Sequence, residues 1–184
     1  MKISGVFTAL ITPIKNGSVD YDGMRKNIQF QIKNRVNGLL PLGTTGETST
    51  LNREEQDSII KLTVEEASGK IPIIVGTGSN STEHTIENTR MAKELGADIA
   101  LVVTPYYNKP SQEGIVSHFK SITDAVDIPI VVYNIQSRTG VNIQTATLKR
   151  IAELPNIIGV KEASCDICQM GDVVDTIGRI KDNF

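Results

Sequence analysis

Short runs of apolar, β-branched residues alternate with longer amphipathic stretches along the whole chain, and this alternation restricts the fold to a parallel α/β architecture. The runs cover 6–11, 38–42, 71–76, 99–104, 130–133 and 157–161. Each is continuous rather than alternating, which is the pattern of strands covered on both faces of a parallel sheet. Amphipathic stretches such as 53–67, 82–95, 112–125 and 145–154 lie between them. Asn52 precedes Arg53-Glu54-Glu55 and Ser81 precedes Thr82-Glu83, so each offers an N-cap with acid in the first turn. Gly69, Gly96 and Pro155 fall near the helix ends. Six β/α units of about 30 residues each result.

Consecutive parallel strands joined by right-handed crossovers close in two main ways. An open doubly wound sheet suits 184 residues, whereas a (β/α)₈ barrel typically takes about 250. Length alone favours the open sheet. No linker or composition break divides the chain, so one domain over 1–184 is expected. Charged residues make up 22% and the net charge is −2, which gives no reason to expect nucleic acid or an anionic membrane as partner. The start, Met1-Lys2-Ile3-Ser4-Gly5, lacks the apolar region and small-residue cleavage pattern of a signal peptide, and 6–11 is too short to span a bilayer. A cytoplasmic location follows as the expectation. Cys165 and Cys168 have the spacing of a redox or half-zinc motif, but no second Cys pair or paired His completes a site. Free, reduced thiols and no metal are expected. His84 and His118 stand in polar helical stretches and are expected at the surface.

Polar clusters follow the strands, always on the C-terminal side: Gly43-Thr44-Thr45-Gly46-Glu47, Gly76-Thr77-Gly78-Ser79-Asn80, Thr104-Pro105-Tyr106-Tyr107-Asn108, Tyr133-Asn134 with Arg138 beyond, and Lys161-Glu162. In both parallel architectures that edge carries the site. The first cluster is either a tight turn or a carboxylate cradle of two hydroxyls beside backbone N–H groups. It lacks the Gly-Lys-Ser/Thr ending of a phosphate loop, and Ser81 stands where a dinucleotide fingerprint needs its third glycine. Tyrosines after a strand serve as packing or as proton relays, and Arg138 as surface charge or as a bidentate carboxylate clamp. Lys161 closes an apolar run. It either snorkels to solvent or, desolvated at the sheet rim, loses its proton readily and attacks a carbonyl.

Gly43-Thr44-Thr45-Gly46-Glu47, Pro105-Tyr106-Tyr107-Asn108-Lys109-Pro110, Tyr133-Asn134 with Arg138-Thr139-Gly140, and Val160-Lys161-Glu162-Ala163-Ser164 together resemble the motifs of the dihydrodipicolinate synthase / N-acetylneuraminate lyase family of class I aldolases. The likeness runs from Val6 to the end. It implies a (β/α)₈ barrel of which this chain covers about the first six β/α units, truncated before the last two units and the C-terminal helices. A fragment of a longer protein is the expectation; completion by another chain or a degenerate, non-catalytic relative acting as a binding module are the alternatives. The Thr44-Thr45 pair and Arg138 look like the branch that condenses pyruvate with aspartate semialdehyde. A related 2-keto acid aldolase, such as N-acetylneuraminate lyase, is the competing enzyme.

By this resemblance Lys161 forms an imine with pyruvate and no metal or organic cofactor is required. Thr45, beside Gly43, binds the pyruvate carboxylate. Tyr133 is the general acid/base, and Thr44 and Tyr107 complete a proton relay. Tyr107 is shared across an interface of a homodimer or homotetramer, and Arg138 holds the carboxylate of aspartate semialdehyde. Gln136 stands where the family usually has proline, which removes a φ restraint and is expected to loosen the placement of Arg138. The family's regulatory lysine site would include Asn80, Tyr106 and Ser49. His84 and Gln56 replace the acidic residue and histidine of lysine-sensitive members, so feedback by lysine is expected to be weak or absent.

Overall fold

The apolar runs become strands and the amphipathic stretches become helices in the order that the alternation predicts. The computed structural model describes residues 3–181 and 184. Met1 and Lys2, and with them part of the expectation for the N-terminus, lie outside the described residues, as do Asp182 and Asn183. The chain forms two compact units, Met1–Gly76 with Met91–Ala100, and Thr77–Arg90 with Leu101–Phe184. The boundaries fall at the end of one strand, inside a helix and inside another strand, so composition carries no mark of them.

In the first unit β1 (Phe7–Ala9) pairs in parallel with β4 (Gly38–Leu40), Phe7 opposite Gly38 and Ala9 opposite Leu40. Between them lies a small antiparallel hairpin, β2 (Ile14–Lys15) and β3 (Ser18–Val19). Its turn, Asn16-Gly17, has φ of 55° and 81°, the two positive values that a type I′ turn requires. α1 (Tyr21–Lys33) starts at Asp20, whose carboxylate accepts the N–H of Gly23, and buries Met24 and Ile28. α2 (Arg53–Ala67) starts with a complete capping box between Asn52 and Glu55, as its sequence predicts. α1 lies against α2, where the Glu66 carboxylate accepts from both Arg25 and Gln29. Leu39 and Ile73 form a parallel bridge that leads into β5 (Ile74–Gly76). A Cβ on Gly76 would lie 2.0 Å from the carbonyl oxygen of Leu42, so only glycine permits this approach.

α3 (Thr82–Glu94) and β6 (Ile99–Val103) each begin in one unit and end in the other. In the second unit the last residues of β6 are followed by α4 (Gln112–Ala125), β7 (Ile130–Asn134), the single turn α5 (Gln136–Thr139), α6 (Thr145–Ala152), β8 (Ile157–Glu162) and α7 (Ile167–Gly178). β7 and β8 run parallel, with Tyr133 opposite Lys161 and Asn134 opposite Glu162. Phe119, Ile115, Ile122, Ile130, Val132, Ile143, Leu148 and Ile151 are buried beneath the helices.

Three expectations are corrected. His118 is not a surface residue: it is 3% exposed, its Nδ1 lies 2.9 Å from the Thr82 hydroxyl, and its ring edge meets Phe119. The helix face, not the local polarity of the sequence, decides its burial. The first run is strand only over Phe7–Ala9, and its ends Val6 and Ile11 are 63% and 56% exposed. The last run is not covered on both faces: Ile157 is buried, but Ile158 to Lys161 are half-buried, because no further strand pairs with β8 among the described residues.

Candidate active site

Every residue that the sequence singles out lies at or beyond the C-terminal end of a strand. In the first unit, β4 runs through Pro41 and Leu42 into Gly43, and Thr44–Gly46 form one turn of 3₁₀ helix. Gly43 is buried, whereas Thr44, Thr45 and Ser49 are exposed. The turn is pinned by Gly46 N–H to Gly43 C=O at 3.0 Å and Glu47 N–H to Thr44 C=O at 3.1 Å. The Thr12 hydroxyl donates to the Gly46 carbonyl at 2.7 Å. The cluster is therefore a structured turn with two adjacent exposed threonines. Gln56 is occupied locally, donating to the carbonyls of Thr48 and Leu51 at 3.2 and 3.0 Å.

In the second unit the structure brings Lys161 and Tyr133 together. They are cross-strand partners, and the Lys161 Nζ lies 4.4 Å from the centre of the Tyr133 ring. Tyr133 is 7% exposed, more deeply placed than a rim residue. Desolvation lowers the pKa of Lys161 below the ordinary lysine value, which favours the neutral amine. A cation over an aromatic ring gains about 0.5–1 kcal/mol at exposed sites, which works in the opposite direction.

Arg138 is exposed and makes no ion pair among the described residues. Its loop is one hydrogen-bonded turn. Gln136 opens α5, the N–H groups of Arg138 and Thr139 donate to Ile135 C=O at 3.1 and 3.0 Å, and Gly140 N–H donates to Gln136 C=O at 2.9 Å. Gly140 sits at φ 75°, with the Lys109 stem 2.6 Å from where a Cβ would stand. Tyr107 is 89% exposed at φ 71°, a conformation costing on the order of 1 kcal/mol or more for a non-glycine residue. Tyr106 is half-buried, and the Asn80 carbonyl accepts from Asn108 at 3.0 Å. Cys165 and Cys168 are exposed and free.

Sequence reading assigned no role to the polar group on the opposite side of the strand ends. The Glu162 carboxylate accepts from Asn134 at 3.1 and 3.0 Å, from Gln169 at 3.2 Å and from the Ser164 N–H at 2.9 Å. The signal that points to it is an asparagine and a glutamate ending two apolar runs one after the other. Among the described residues no group of three or more His, Cys, Asp or Glu is placed to hold a metal ion. Within the second unit the arrangement supplies a half-buried amine with a phenol ring beside it, a pair suited to carbonyl chemistry through an imine.

The model of the Dihydrodipicolinate synthetase family matches residues 2–183. The chain is 54% identical to the 4-hydroxy-tetrahydrodipicolinate synthase of Protochlamydia amoebophila, with 100% of this chain and 62% of that protein covered. It is similar in structure to the dihydrodipicolinate synthase of Thermotoga maritima, with a TM-score of 0.98, 46% identity, and coverage of 100% of this chain and 63% of that one. It is likewise similar to the chloride-inhibited enzyme of Acinetobacter baumannii complexed with pyruvate, with a TM-score of 0.94, 45% identity, and coverage of 96% and 61%. The chain spans about three fifths of the length of these relatives. The fold is therefore of the (β/α)₈ class, of which six β/α units are present, and not the open sheet that length favours.

Proposed function

The chain belongs to the dihydrodipicolinate synthetase family, and on that premise we propose that it carries out Schiff-base condensation of pyruvate with L-aspartate 4-semialdehyde to 4-hydroxy-tetrahydrodipicolinate. The observation that carries the proposal is the placement of the half-buried Lys161 amine over the Tyr133 ring, at the ends of two paired strands. The neutral amine adds to the C2 carbonyl of pyruvate, and loss of water leaves an iminium. The iminium acidifies the methyl group, which gives up a proton to form an enamine. The enamine carbon then attacks the aldehyde, forming the new carbon–carbon bond, and the aldehyde oxygen takes up a proton. The amino group of the second substrate displaces Lys161 from C2 and closes the ring.

Tyr133 is the proton donor and acceptor in this scheme, with Thr44 and Tyr107 as its relay. Thr45 and Gly43 take the pyruvate carboxylate, and Arg138 takes that of the semialdehyde. The imine needs no cofactor beyond the lysine. The exposure of Tyr107 supports its being lent across an interface in a homodimer or homotetramer. No helix is long and apolar enough to cross a membrane among the described residues, and we place the reaction in the cytoplasm. Regulation by lysine at Asn80, Tyr106 and Ser49 is weak or absent in this proposal, since His84 and Gln56 stand where lysine-sensitive members have an acidic residue and a histidine. Inhibition by sub-millimolar lysine in a steady-state assay contradicts it.

Borohydride reduction in the presence of pyruvate, followed by peptide mass spectrometry, tests the central step. A reduced pyruvate adduct on Lys161 is the expected result, and folded protein without one refutes the proposal and leaves a non-catalytic binding module. Turnover with aspartate semialdehyde but not with N-acetylmannosamine separates this acceptor from a sugar-acid aldolase.

A further inference from the structure

Successive residues of a strand point to opposite faces. Lys161 and Tyr133 therefore share one face of the β7–β8 pair, while Glu162 and Asn134 share the other. On that second face the hydrogen bonds have a fixed direction. The fully buried Asn134 accepts the Ile143 N–H on its Oδ1 at 3.1 Å, which turns its Nδ2 toward Glu162 and toward Asn142 Oδ1, the latter at 2.8 Å. Gln169 donates from Nε2 to the Ile143 carbonyl at 3.3 Å and to Asn142 Oδ1 at 3.2 Å, and its Oε1 accepts from Asn142 at 2.6 Å. The two backbone groups of Ile143 thus fix both amides with their NH₂ groups toward position 162. The Ser164 N–H closes the ring of donors. Only an acceptor on both oxygens satisfies this surround, and charge-assisted bonds of this kind are roughly twice as strong as neutral ones.

We infer that Glu162 is a positioning residue for the imine-forming amine: its carboxylate locks the ends of β7 and β8, the loop at Asn142 and the start of α7 into one register, and that register sets Lys161 over Tyr133. The inference rests on the reading of Lys161 given above. Glu162 touches no reacting atom in this arrangement; it acts through the backbone that it holds.

Competitive acetylation with acetic anhydride over a pH series, read at Lys161 by mass spectrometry, gives the protonation midpoint of the amine without pyruvate. In Glu162→Gln an amide NH₂ faces one of the three donors, and the lock opens. The expected result is a midpoint about one pH unit higher, equivalent to about tenfold less neutral amine at neutral pH. Pyruvate trapping slows in parallel, and Glu162→Asp lies between wild type and Gln. Loss of the negative charge by itself acts in the other direction, because it destabilises the ammonium form. A midpoint that is unchanged or lower in folded E162Q overturns the inference. If E162Q does not fold, Gln169→Met removes one donor and keeps the charge; a smaller rise supports the inference and no rise overturns it. A wild-type amine with a low midpoint but no pyruvate adduct refutes the imine reading instead.

Discussion

Tyr133 does two separable things for Lys161. Its ring lies against the amine, and in the proposed reaction its hydroxyl moves protons. Tyr133→Phe keeps the first and removes the second. The expected outcome is that borohydride still traps pyruvate on Lys161, while steady-state turnover falls by about 10²–10⁴-fold, the usual worth of a positioned acid/base. Equal loss of trapping and turnover in Y133F contradicts this division. The same lysine sets a pH dependence. Its amine must be neutral to attack, so trapping rises with pH through a midpoint that lies below the ordinary 10.5. Lys161 and Tyr133 were legible in the sequence because both end apolar runs, and a strand end places its polar residue at the rim of the sheet. Glu162 ends the same run, but its side-chain partners Asn134 and Gln169 are 28 and 7 residues away, the first joined to it by the strand register and the second from α7. One sequence does not encode that register in any local pattern.

At the scale of elements, helices with capped starts were legible and short turns were not. The β2–β3 hairpin has strands of two residues each. Its Asn16-Gly17 signal is therefore not flanked by the alternating runs that announce a hairpin. α5 is the second case, and it bears on the expectation attached to Gln136. That residue is the first of the turn, a position where proline is tolerated because its N–H has no partner within the helix. Ile135 before it lies at φ −142° and ψ 77°, outside the helical region that proline disfavours for its predecessor. Gln136→Pro is therefore expected to stabilise by about 0.4–1 kcal/mol, raising Tm by up to about 4 °C in a thermal melt. A lower Tm would show that the turn needs the missing N–H.

His118 ties α4 to the start of α3 through Thr82, and its buried Nε2 has no hydrogen-bond partner among the described residues. Burial pushes its pKa down to about 4 from 6.5. The folded state thus excludes a proton that the unfolded chain binds. Stability is complete above pH 6.5 and is lost progressively as pH falls toward 4, by up to about 3 kcal/mol. Denaturant titrations at pH 7 and pH 4.5 measure that loss. In His118→Gln the part due to this residue disappears, leaving a smaller difference between the two conditions.

For the molecule as a whole, length and motif pointed to different closures, and the motif was the better guide. Length counts only the residues in hand, whereas the order of polar clusters along six strands reflects how each unit follows the last. The face of the second unit formed by β8 and α7 shows what that difference means physically. β8 pairs with β7 on one side only among the described residues, and Ile167 and Val174 on α7 are 78% and 73% exposed. Spaced seven residues apart, they project from the same side of the helix. An unpaired strand edge beside an exposed apolar stripe favours association. The 184-residue chain on its own is therefore expected to self-associate in a concentration-dependent way, and sedimentation velocity over a dilution series measures this. Ile167→Lys with Val174→Lys places charge on the stripe without touching Val173 or Ile177, which carry the buried face of α7. The double variant should shift the distribution toward monomer while its far-UV circular dichroism is unchanged. A wild-type chain that stays monomeric at high concentration would show that this face is not adhesive.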